Sequence, residues 1–102
     1  MALQDRLHQP GLTEDIDAIP AHQFSAAMFL WADGTITRAN VISEFNITVA
    51  EETQLDQLKA SYDAKASGLL KLAYILRIEK VLMLFEKGNI NLTQMKTMLE
   101  LT

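Results

Sequence analysis

The sequence predicts an all-α protein: a compact bundle of about five helices with an N-terminal arm. Three observations lead there. Apolar residues recur at three- and four-residue spacing through most of residues 21–102. Gly34 and Gly88 each follow an apolar helical run, where a left-handed C-terminal cap belongs. Thr37, Thr48 and Asn91 stand just ahead of the next runs, as N-caps do. At 102 residues the chain has room for one core, so the expected division is an arm over residues 1–20 and a single helical domain over 21–102.

The arm contains Pro10, Gly11 and Pro20, with Leu3 and Leu7 spaced for one face of a short helix. Helix formers dominate from Ala21, and Pro20 suits a first helical position. Phe24, Ala27, Met28 and Trp31 then fall on one face of a helix that Gly34 stops. Thr37 caps the second helix, and Ile36 before it is spaced to pack on Val41 as a hydrophobic staple. Its core face is expected to be Val41, Ile42 and Phe45. The third helix opens with a capping box, Thr48 to Glu51, presents Leu55, Leu58 and Tyr62 inward, and is expected to end near Lys65, before Ala66-Ser67-Gly68.

A fourth helix, from about Leu69 to Lys87, is apolar nearly all round. At 100° per residue, Leu70, Tyr74, Ile78, Val81 and Phe85 form one stripe, and Leu72, Leu76 and Met83 form another. Such a helix is either buried on several sides at the centre of the fold or turns its second stripe to another chain. Gly88 ends it, and a last short helix is expected from about Leu92 to Leu101.

Residues 24–48 and 78–102 agree in type when Gly34 is laid over Gly88, an offset of 54 (88 − 34). Met28-Phe29-Leu30-Trp31 falls on Leu82-Met83-Leu84-Phe85, Val41 on Met95, and Phe45 on Leu99. Both segments spell helix, Gly stop, staple, cap, helix. A duplication produces this pattern, and so do two tight corners converging on the same capping rules; the sequence leaves both open.

Several chemistries are excluded by ligand type and charge. Asp33-Gly34-Thr35-Ile36-Thr37 resembles the middle of a calcium-binding EF-hand loop. With Gly34 at the sixth position, however, Phe29 and Trp31 occupy the first and third, where carboxylates must stand. Without Cys, and with only His8 and His22, zinc chemistry has few ligands. A net charge of −4 argues against a grip on phosphates or anionic lipid. Residues 37–58 have the lengths of a DNA-reading helix–turn–helix, the alternative function, yet Glu51, Glu52 and Asp56 would meet the phosphates. The Glu14, Asp15 and Asp17 cluster has no neighbouring base, nucleophile or phosphate cradle, His22 reads as a surface or capping residue, and no catalytic motif occurs. A non-enzymatic protein without cofactor or metal is expected.

The N-terminus carries Asp5 and Arg6 instead of an apolar signal core, and charges interrupt the Leu69–Phe85 run, so neither secretion nor a membrane span is expected. Two glycosylation-type sequons, at Asn46 and Asn91, are read as accidental.

The ordered set FSAAMFLWADGTITRANVISEFNI, EETQLDQLKASYD, a long apolar helix and INLTQMKTMLEL resembles small helical virion structural proteins of tailed bacteriophages. Phe24, Trp31, Gly34, Ile36, Phe45, Leu55 and Leu58 carry the resemblance over residues 21–102. It implies a structural or assembly role in a particle built in the bacterial cytoplasm, with other virion proteins or copies of itself as partners; that neither nucleic acid nor membrane is a partner is expected from the charge arguments above. Candidate interface residues are Leu3, Leu7, Leu12, Ile16 and Ile19 of the arm, which either folds back or docks on a neighbour, and Leu72, Leu76 and Met83 of the second stripe.

Overall fold

Five helices, with no strand between them, build the described residues, 20–102, of the computed structural model. They are α1 (Pro20–Ala32), α2 (Arg38–Phe45), α3 (Val49–Asp63), α4 (Gly68–Glu86) and α5 (Leu92–Met98). The arm residues Leu3, Leu7, Leu12, Ile16 and Ile19, and the Glu14, Asp15 and Asp17 cluster, lie outside the described residues.

Local hydrogen bonds set the helix boundaries. Thr37, Thr48 and Asn91 each cap a helix and form reciprocal boxes with Asn40, Glu51 and Gln94. At Thr48 the Glu51 amide donates to Oγ1 at 3.2 Å, and the Thr48 amide donates to Glu51 Oε1 at 2.8 Å. Ser67 caps α4, its Oγ accepting from the Leu70 amide at 3.2 Å. The weak break expected at residues 66–68 is therefore real, but Gly68 opens α4 instead of closing α3, which stops at Asp63, two residues before the predicted end.

Gly34 and Gly88 stop α1 and α4 with φ of 87° and 78°. Each is followed by a closing bond back into the helix, Thr35 N to Leu30 O and Asn89 N to Leu84 O, both 2.9 Å. The same left-handed stop recurs at Asn46 (φ 52°) and Glu100 (φ 62°), with closing bonds from Ile47 N to Ile42 O and Leu101 N to Lys96 O. It ends α5 at Met98, short of the predicted Leu101, and turns Leu101 back into the core. The four left-handed residues are 12 apart within each segment (46 − 34, 100 − 88) and 54 apart between segments (88 − 34, 100 − 46). The two corners thus share backbone conformation as well as residue type.

α1 lies along α4, which also packs on α3 and α5, while α2 packs on α1. This makes α4 the central helix. Phe24, Met28, Val41, Leu55, Leu58, Tyr74, Ile78, Met95 and Leu99 are 1% exposed or less, and each such side chain contributes about 1.5–3 kcal/mol by burial. Phe24 meets Phe45 edge to face, ring centroids 5.4 Å apart. Ile36, Ile42, Phe45, Trp31, Tyr62 and Phe85 are half-buried against this cluster.

Leu70 corrects the predicted core stripe. It is 51% exposed, because the buried residues of α4 run only from Tyr74 to Leu82 and the stripe extends a turn beyond the helices packed on it. Ile75 and Leu82, assigned to neither stripe, are buried, because three helices pack on α4 from more than one direction.

Candidate docking surface

Among the described residues, α4 leaves one apolar side uncovered by the helices packed on it. Leu69, Leu72 and Leu76 are 77%, 45% and 58% exposed. They recur at three- and four-residue spacing, which sets them on one face of the helix. Met83, the third residue of the predicted second stripe, is half-buried and packs against the core. Single exposed leucines are ordinary on a protein surface, whereas a contiguous apolar face marks a contact site.

That face continues into a groove of about 520 Å³ between α4 and α5. Leu76, Leu84 and Met98 give it apolar walls, and Arg77 and Lys80 give it a basic edge. Arg77 reaches Glu100 at 3.5 Å and lies over the Tyr74 ring, while Lys80 makes no ion pair among the described residues. The sequence named Leu76 but missed Arg77, Lys80, Leu84 and Met98. Their grouping depends on where α5 is laid against α4, and no single-helix periodicity carries that information.

A second groove lies at the first corner, lined in part by Gln23, Ala26, Ala27, Leu30 and Glu44. These are the positions 54 residues before Arg77, Lys80, Val81, Leu84 and Met98. The corners therefore build the same concavity twice with different charge: Leu30, Ile36 and Phe45 line the first beside Glu44, whereas Leu76, Leu84 and Met98 line the second beside Arg77 and Lys80.

Between them, Ser25 and Glu79, also equivalent at the 54-residue offset (79 − 25), bond directly, Ser25 Oγ donating to Glu79 Oε1 at 3.0 Å. Equivalent residues meeting each other is the contact made at a two-fold axis. His22 Nδ1 lies 2.8 Å from the same carboxylate oxygen. Instead of a surface or capping residue, His22 is one part of a polar pin across the α1–α4 seam.

The α2–α3 corner has its charges already matched. Arg38 forks onto Asp56, Nε to Oδ1 at 2.9 Å and Nη2 to Oδ2 at 3.0 Å, and Nη2 also reaches Glu52 at 2.8 Å. Those hydrogen bonds, to Asp56 first and Glu52 second, raise the proton affinity of the guanidinium still further. Its positive charge is shared by two carboxylates, which leaves this corner acidic. In the segment resembling an EF-hand loop, Asp33 Oδ1 accepts from the Thr35 hydroxyl at 2.6 Å and the Thr35 amide at 2.9 Å. These bonds hold the Asp33 carboxyl below its ordinary range and make it a turn-former. Among the described residues no three His, Cys, Asp or Glu side chains converge as a metal site would require, and no helix is long and apolar enough to cross a membrane. No protein-family model matches the chain, and no curated protein or solved structure does so.

Proposed function

We propose that this chain is a non-enzymatic assembly protein acting through protein–protein contacts, a structural component of a tailed-bacteriophage particle. The observation that carries the contact role is the uncovered face of α4, where Leu72 and Leu76 run into the groove with Met98. Exposed leucines beside a shaped groove give a partner helix both area to bury and a recess to anchor in. The phage assignment rests on the ordered sequence landmarks from Phe24 to Leu58. Partners on this reading are other virion proteins or copies of the chain. The test is mass spectrometry of purified particles, with Leu72→Asn/Leu76→Asn chains supplied in place of the native one. Peptides of the native chain are expected in the particle and the double variant is expected to be depleted from it. Absence of the native chain from particles, or salt-sensitive DNA binding by the purified chain, would refute the proposal.

A further inference from the structure

We infer that the uncovered face of α4 receives an acidic amphipathic helix of another protein, its apolar side laid on Leu69, Leu72 and Leu76 and its carboxylates set against Arg77, Lys80 and Lys87. This partner chemistry rests on the contact role proposed above and narrows it to a heterologous helix.

Shape is the first ground. Leu69, Leu76 and Met83 stand seven residues apart, and Ala73, Lys80 and Lys87 form a second row of the same spacing beside them. Taken together the two rows alternate by four and three residues, the pattern of a helix that meets another along its length. The groove of about 520 Å³ that runs from Ala73 to Leu84 is followed by a recess of about 350 Å³ at Met83, Lys87 and Asn89, and the two share Lys80 and Leu84. From Leu69 to Lys87 the helix rises about 27 Å, the length of a partner helix of about 18 residues. A concave strip of this length fits a rod, and neither a flat bilayer nor a compact small molecule fills it.

Charge is the second ground. Lys80 and Lys87 are exposed, and neither makes an ion pair among the described residues. Arg77 reaches Glu100 only at 3.5 Å, while Lys65 holds the same carboxylate oxygen at 2.7 Å. The carboxylate that lines these two recesses is Glu79, and its Oε1 is already taken by Ser25 and His22 of α1. Three cations therefore flank the apolar strip, and carboxylates on the occupant complete them. A second copy does not supply these carboxylates. The two acids of α4 are Glu79, turned to α1, and Glu86, which falls on the same side seven residues on. Elsewhere in the fold Glu52, Asp56, Asp63 and Glu100 are each ion-paired, and Glu44 lines the first-corner groove.

Two fluorescein-labelled synthetic helices serve as probes, alike in carrying Leu at heptad spacing and differing in having Glu or Lys at the flanking positions. In anisotropy titrations with the full-length chain the Glu probe is expected to bind about tenfold more tightly than the Lys probe, a margin that shrinks as salt rises. The Glu probe is expected to shift the amide resonances of Leu72, Leu76, Lys80 and Lys87 and to leave those of Leu30 and Phe45 in place. Lys80→Glu/Lys87→Glu, both at exposed sites, is expected to reverse the order of the two probes, and circular dichroism verifies that the fold is kept. Binding of neither probe, equal binding of both, or an unchanged preference in the charge-reversed chain would overturn the inference. If the Glu probe left those amides unmoved while dimerisation in sedimentation runs, or pelleting with phosphatidylglycerol vesicles, perturbed them, the face would belong to a second copy or a lipid surface, and the inference would fall too. The probes bind or fail to bind whether or not the chain enters particles, so this inference and the proposed function fail separately.

Discussion

Replacing the three described glycines by alanine, one at a time, separates backbone strain from packing. No atom lies within 4 Å of the Cβ that alanine would add at Gly34, Gly68 or Gly88, so steric overlap contributes nothing to any of the differences. What differs is φ. Gly34 and Gly88 hold +87° and +78°, a region that costs an L-residue about 1–2 kcal/mol. Against this, alanine removes about 0.4–1 kcal/mol of unfolded-state entropy. The net loss for Gly34→Ala or Gly88→Ala is about 1 kcal/mol, or about 4–8 °C in Tm for a domain this size. Gly68, the first residue of α4, has no positive φ, so Gly68→Ala keeps only the entropic gain and raises stability by about 0.4–1 kcal/mol. Urea unfolding followed by circular dichroism at 222 nm, with the m-value checked for constancy, gives each difference. Stabilisation of Gly34→Ala or Gly88→Ala to the extent of Gly68→Ala would show that the left-handed caps do not set the helix ends.

Three further substitutions probe the core and its titration. Phe24→Ala removes a side chain 0% exposed and its edge-to-face contact with Phe45, and is expected to cost about 3–5 kcal/mol in the same urea assay. Tyr74→Phe deletes the buried hydrogen bond from Tyr74 Oη to the Leu99 carbonyl, 2.8 Å, at an expected cost of about 1–3 kcal/mol. Burial pushes the Tyr74 phenol up to about 12 from 10.0, so its contribution is complete below pH 10 and lost as pH rises through 12. The phenylalanine variant is therefore expected to show a shallower fall in urea midpoint over that range. Glu100 shows the opposite sign: the hydrogen bond from Lys65 Nζ, 2.7 Å, holds its carboxyl below 4.5. Its stabilisation is present above that ordinary value and lost as pH falls through the lowered one. Because the side chain is 41% exposed the effect is screened, and Glu100→Gln is expected to flatten the acid limb of the stability profile only slightly.

Much of the fold was legible in the sequence because it is encoded over four or five residues at a time. The stop at Gly34, the caps at Thr37, Thr48 and Asn91, and the stripe Phe24, Ala27, Met28 each follow from neighbours along the chain. Leu70 misled because periodicity says which way a side chain points but not whether another helix reaches that far. His22 misled because its partner, Glu79, is 57 residues away. The end of α5 came early because Glu100, a residue with no glycine-like freedom, takes the left-handed conformation at φ 62°. Its counterpart Asn46 does the same in the first corner, and the offset of 54 was the one sequence signal that tied the two together.

By itself, then, the sequence determined the all-helical class, where the helices begin and turn, and most of the side chains that form the core. Only the tertiary structure decided that α4 is central yet bare along Leu69, Leu72 and Leu76, and that the two corners carry equivalent grooves of opposite charge. The physical reason is range. Caps and stripes are fixed by hydrogen bonds and helical spacing within a few residues, whereas a groove exists only when two helices distant in the chain are brought side by side. Residues 33–37 show both: their chemistry makes a turn wherever they occur, and the packing of α1 against α4 makes that turn one of a matched pair.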